Sequence, residues 1–165
     1  MWTILKFEKR NFHQLKKDFS QKLGSEPKYF IPKLKLQKFK KNKLYDSDSL
    51  LLGDYLLCFH VNFKNEKVIN SLKYCKGLKY FLNGFLNSQQ EINEFINKCR
   101  IHEDKAGYIK QSFFEFKRNT KYKFMSGPFT NMVFEIIHSQ HKKIKILLNN
   151  FETTLSNKKY IFRPV

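Results

Sequence analysis

Leu50-Leu-Leu-Gly-Asp-Tyr-Leu-Leu-Cys-Phe59 is the most apolar stretch of the chain and reads as a strand lying centrally in a sheet. Later, Lys123-Phe-Met-Ser-Gly-Pro-Phe129 reads as the tight first turn of a small β-barrel. The two lie far apart in the chain, and together they predict a binding protein built from two domains. Around the first stretch, Trp2 and Ile4 alternate as a short strand that reaches Phe7, whereas Leu15, Phe19 and Leu23 fall four apart, as on one face of a helix that Gly24 stops. Pro27 and Pro32 bracket an extended piece, Tyr29-Phe-Ile31. Lys33-Leu-Lys-Leu-Gln-Lys-Phe39 alternates strictly, as a strand with one wet basic face does.

Beyond Val61 the reading continues with a loop over residues 62–66, a helix from Glu66 to Leu72, a strand over Leu78–Leu82 and an amphipathic helix carrying Ile92, Phe95, Ile96 and Cys99. That order predicts an α+β domain, one sheet packed with helices, over residues 1–100. Periodicity weakens at His102-Glu-Asp-Lys105, so residues 101–112 are read as a linker. Five short runs follow: Phe113–Phe116, Tyr122–Phe124, Met132–Ile137, Ile144–Leu148 and Tyr160–Phe162. They predict a small five-stranded β-barrel over residues 113–165.

Charge narrows the partners. The chain of 165 residues carries 32 basic and 14 acidic side chains, a formal net charge of +18, which favours a polyanion or an acidic protein surface. Lys33, Lys35, Lys38, Lys40, Lys41 and Lys43 cluster in a segment without acids and suit the backbone of upstream or non-template DNA. Lys110, Lys117, Arg118, Lys121 and Lys123 form a second group, suited to nascent RNA. A plain solvated surface is the other reading of each group.

Chemistry has little foothold. Cys58, Cys75 and Cys99 are odd in number and unpaired in spacing, so they read as thiols of a reducing compartment. His138 and His141 lack an accompanying carboxylate or cysteine, and Asp46-Ser-Asp48 reads as two acids in a loop. No catalytic residue, metal site or cofactor is expected, nor a membrane partner, and the chain is placed in the cytoplasm.

The order of Trp2, the basic helix, Phe30-Ile-Pro32, Leu52-Gly-Asp-Tyr-Leu-Leu-Cys58, Lys76-Gly-Leu-Lys-Tyr-Phe81 and Ser126-Gly-Pro-Phe129 resembles the NusG family of transcription elongation and antitermination factors. The resemblance implies an NGN domain followed by a KOW barrel, of a specialised RfaH-like type. Two motifs depart from the family: Leu52-Gly-Asp-Tyr55 stands for Phe-Pro-Gly-Tyr, and Leu148-Asn-Asn150 for a late Phe-Gly-Arg. The family would place Leu5, Phe7, Tyr55, Phe59 and Phe81 against the clamp helices of the largest RNA polymerase subunit, where pausing is suppressed. It would place Asn65, Glu66 and Lys67 toward the opposite lobe of the cleft. Phe129 and Leu148 would meet a small ribosomal subunit protein or a termination factor, and the free protein would be a monomer. The alternative for the apolar residues is the core of the sheet itself, and the alternative function is a ribosome-associated or RNA-binding KOW protein.

Overall fold

The computed structural model describes residues 1–40, 43–140, 143–156 and 160–165; the side chains of Phe39 and Lys40 also fall outside the description. In chain order the elements are β1 (Trp2–Phe7), α1 (Phe12–Leu23), β2 (Lys28–Phe30), β3 (Lys33–Lys40), β4 (Lys43–Leu50), β5 (Tyr55–Phe59), α2 (Glu66–Leu72), β6 (Leu78–Phe81) and α3 (Gln89–Ile101). They continue as β7 (Lys121–Phe124), β8 (Val133–Gln140), β9 (Lys143–Leu148), β10 (Phe151–Ser156) and β11 (Phe162–Pro164). The protein is α+β, and it divides into two compact units.

Residues 1–32 and 50–98 form the first unit, around a four-stranded sheet in the order β2-β5-β1-β6. Strand β5, from the most apolar stretch, lies inside this sheet and pairs antiparallel with β1. Side chains alternate between sheet faces, so each strand feeds two cores. Leu5, Phe7, Leu56 and Cys58 face α1 and α2, where they pack with Leu15, Phe19, Leu23, Ile69 and Leu72. Trp2, Ile4 and Leu57 face Ile92, Phe95 and Ile96 of α3 instead. Helix α1 follows its predicted spacing and ends at Gly24, whose φ of 74° is the left-handed geometry of a C-terminal stop. Phe19 is fully buried.

The second unit holds residues 33–49 and 99–165. Its five-stranded antiparallel sheet runs β10-β9-β8-β7-β11 and encloses a core of Tyr122, Phe124, Phe134, Ile136, Ile144, Ile146 and Phe162. Among the described residues, β10 and β11 are its two ends. Strands β3 and β4 form a separate two-stranded sheet grouped with this unit, where the sequence reading assigned residues 33–49 to the N-terminal domain. Backbone bonds explain the grouping: Ile109 donates to the Lys33 carbonyl at 2.8 Å and Gln37 to the Met125 carbonyl at 2.9 Å. The stretch expected to be a linker is thereby tied to β3.

Three local expectations are corrected. Phe113–Phe116 is not a strand: residues 111–113 make a 3-10 turn, and the Phe113 and Phe114 rings meet edge to face at 5.3 Å. The fifth strand is β10, which lies outside the five runs expected as strands. Asp46-Ser-Asp48 is part of β4 rather than a loop.

Candidate partner groove and basic surfaces

Cross-strand register assembles one face of the first unit. Ile4 opposes Leu57, Trp2 opposes Phe59, and Lys6 opposes Tyr55 on one side and Tyr80 on the other. Helix α3 is anchored over the start of β1 by Gln89, whose amide accepts the Trp2 N–H at 3.0 Å and donates to the Trp2 carbonyl at 2.8 Å. The helix covers only part of the face. What stays open is a groove of about 510 Å³ lined by Ile4, Leu52, Tyr55, Leu57, Leu82, Ser88, Glu91, Ile92 and Phe95. Leu82 and Leu86 stand exposed, at 40% and 58%, so uncovered apolar surface extends beyond the Leu82 wall. Apolar surface gathered in a concave strip with a polar rim is how partner sites differ from ordinary surface.

The rim has its own chemistry. The Lys6 ammonium lies 5.4 Å from the Tyr55 ring centroid and 5.7 Å from that of Tyr80. The two phenol oxygens are 2.8 Å apart, sharing a hydrogen bond. That bond, ahead of desolvation, raises the Tyr55 pKa above its ordinary value. A cation held over two rings is attracted by the negative face of each. That attraction fixes a positive charge beside the apolar groove, where a partner's carboxylate could meet it.

Of the five apolar residues expected on this surface, Tyr55 lines the groove and Phe59 is half-buried against Trp2, with ring centroids 5.3 Å apart. Leu5, Phe7 and Phe81 do not belong to an exposed face. They are 0%, 3% and 9% exposed, because their parity along β1 and β6 turns them into the core under α1. The apolar groove residues missed were Ile4, Leu52, Leu57, Leu82, Ile92 and Phe95, and Ser88 and Glu91 complete the lining. One signal was available: in Trp2-Thr-Ile-Leu-Lys-Phe7 the parity that contains Lys6 is the wetter one, and it carries Ile4.

Asn65, Glu66 and Lys67 are exposed at the start of α2, where the Asn65 side chain accepts the Lys67 N–H at 3.0 Å as a helix cap. Phe129 and Leu148 are half-buried and pack on the core of the second unit; the Phe129 ring lies 5.5 Å from that of Phe124. Asn149 and Asn150 adopt φ of 47° and 67°, so asparagine makes the turn between β9 and β10.

The basic segment is less free than its composition suggests. Lys33, Lys35, Lys38 and Lys43 are exposed, but the Lys35 ammonium sits 3.0 Å from Asp46. Hydrogen bonding to Asp46 raises the Lys35 pKa, and the same bond, with one from Gln37, lowers that of Asp46. Strand pairing thus brings to Lys35 an acid that lies outside its own segment. Lys41 and the side chain of Lys40 lie outside the described residues, as does His141. In the second group, Lys110, Lys117, Arg118 and Lys121 are exposed and Lys123 is half-buried. Tyr122 and Phe124 point inward, so Lys121 and Lys123 share the outer face of β7. Among the described residues, no three His, Cys, Asp or Glu side chains converge as a metal site.

No protein-family model matches the chain, and no curated protein matches it. Among solved structures, it is similar to the MjSpt4:Spt5 complex in its conformation B, at 11% identity and a TM-score of 0.32, with 100% of this chain and 98% of that chain covered. It is also similar to a structure of domain interaction in Thermotoga maritima NusG, at 16% identity and a TM-score of 0.34, with 95% and 94% covered.

Proposed function

We propose that the protein is a transcription elongation factor that acts by binding rather than catalysis, seating an apolar helical element of RNA polymerase, the clamp helices, in the groove between β1, β5 and α3. The observation that carries this reading is the open groove with Lys6, Tyr55 and Tyr80 on its rim. An amphipathic helix fits such a strip with a few apolar anchors while its polar side meets the rim. The order of motifs from Trp2 to Phe129 that resembles NusG supports the same partner. Bound there, the protein favours the clamp state to which it binds more tightly and so suppresses pausing. The exposed lysines contact nucleic-acid backbone beside the polymerase, and the second unit recruits a further factor.

The charge of +18 favours one second reading, an RNA-binding or ribosome-associated protein. A pull-down with purified core RNA polymerase separates the two. Tyr55→Ala and Leu82→Glu should each weaken a saturable complex about tenfold or more, in the range of a binding hot spot. Absence of polymerase binding by the wild-type chain, beside tight RNA binding, would establish the second reading instead.

A further inference from the structure

The second unit contains a larger cavity, of about 850 Å³, to which nothing above assigns a role. Its walls include the aromatic residues Tyr108, Phe116 and Tyr160, the polar Gln37 and Ser112, the bases Lys35 and Lys110, and the acids Asp46 and Asp104. Each ring is set by its neighbours. The Tyr108 hydroxyl donates to Asp48 at 3.0 Å, and Phe116 lies 6.0 Å from the Tyr122 ring and 5.8 Å from Phe162. Tyr160 lies directly on Gly127, so closely that a Cβ there would collide with its ring.

Much of the polar lining is already committed: Lys35 pairs with Asp46 at 3.0 Å, and the Asp104 carboxylate accepts the Ala106 and Tyr108 N–H groups, each at 2.9 Å. The Gln37 oxygen accepts the Gly127 N–H at 2.6 Å, and its nitrogen donates to Asp46 at 3.1 Å. Polar groups with their hydrogen bonds in use leave a ligand to be selected by shape and stacking. Aromatic residues in such a lining suit a flat ring, and the exposed Lys110, with Lys117 and Arg118 in the same unit, offers charge to an anion attached to that ring. Volumes of roughly 300–1,000 Å³ are those of ligand pockets, ample for a nucleoside. We propose that this cavity receives one unstacked base of a single-stranded nucleic acid, its neighbouring phosphate lying on Lys110.

The test needs only the purified chain, so it is independent of any polymerase. Fluorescence anisotropy would follow labelled oligouridine, oligothymidine and a duplex of equal charge at about 50 and about 200 mM KCl. Ser112→Trp, placed on an exposed wall position, fills the cavity and gives up only the exposed 2.9 Å hydrogen bond between Ser112 and His102, and Tyr108→Ala removes a ring. Both should weaken single-strand binding about tenfold with the salt slope unchanged, as loss of one stacked base does. Lys110→Gln should make the slope shallower by about 0.7, and duplex binding should ignore Ser112→Trp. Comparison of the uridine and thymidine arms then identifies RNA or DNA as the preferred strand. Wild-type affinity in folded Ser112→Trp and Tyr108→Ala, or equal losses for duplex and single strand, would overturn the proposal.

Discussion

His60 shows how one side chain can make stability depend on pH. It is buried, its Nδ1 accepts the Asn62 N–H at 3.2 Å, and its Nε2 lies 2.8 Å from the Ser25 hydroxyl. With Nδ1 accepting, the proton of the neutral ring sits on Nε2 and is donated to Ser25. The Met1 ammonium donates to the His60 carbonyl at 2.9 Å. Burial, and then the charge of that ammonium, lower the His60 pKa below its ordinary 6.5. A second ring proton would point at the Asn62 N–H, donor against donor. The unfolded chain therefore binds more protons below pH 6.5 than the folded one, so the contribution of His60 is complete above that pH and is lost as pH falls toward the lowered value. The Met1 ammonium is itself shifted down by burial and Lys64, so the His60 share has to be isolated by difference. Urea midpoints of the wild type minus those of His60→Gln should show an advantage that shrinks below pH 6.5. A difference that stays flat with pH would remove this role. Nothing in the sequence marked His60: a lone histidine after an apolar strand gives no sign of its distant partners, Ser25 and Met1.

At the scale of elements, legibility followed the range of the interactions involved. Helix α1 was readable because Leu15, Phe19 and Leu23 carry their own period, and all three are buried as that period requires. Strand β4 was not, since Asp46, Ser47 and Asp48 are turn formers by local preference and become a strand only beside β3, where Lys35 and Gln37 meet Asp46. Phe113–Phe116 misled in the opposite sense. Its aromatics favour a strand, but the Gln111 amide accepts the Phe162 N–H at 2.7 Å and donates back to the Phe162 carbonyl at 3.4 Å. One side chain thereby occupies both backbone groups of Phe162 on β11. The β3–β4 pair is held to the Ser126-Gly-Pro-Phe129 turn in a similar way, through the Gln37 amide. Gln37→Ala removes the acceptor of the Gly127 N–H together with the bond to Asp46, and should cost about 1–2 kcal/mol in chemical denaturation. Hydrogen exchange at the Gly127 amide should quicken at the same time. Unchanged exchange there would mean that the backbone bond from Gln37 to Met125 holds the turn by itself.

For the whole molecule, net charge and ion pairing make opposite demands on salt. A formal charge of +18 on 165 residues is self-repulsive, and folding brings those charges closer together. Against it stand ion pairs such as Lys9 with Asp54, Lys16 with Glu26 and Lys35 with Asp46, all between substantially exposed side chains. Pairs of that kind contribute little and are screened by the same salt that relieves the repulsion. Repulsion should therefore dominate, and the urea midpoint should rise as KCl is increased from about 20 to about 300 mM, over which the screening length falls to less than about 10 Å. If the ion pairs dominated, the midpoint would fall. Single-stranded nucleic acid at low salt should raise the midpoint further, because a ligand of the folded state stabilises it in proportion to the logarithm of its concentration over the dissociation constant. Sequence made the charge plain, but it did not show where that charge is neutralised or which apolar residues remain uncovered. Both depend on which residues face each other across strands, so Tyr55 was found while Ile4, Leu57 and Leu82, its neighbours along the groove, were not. A polyanion that stabilises the protein at low salt and no longer does so at high salt would show backbone contact alone. Stabilisation by a single strand that outlasts the screening of its phosphates would require contact with the bases as well.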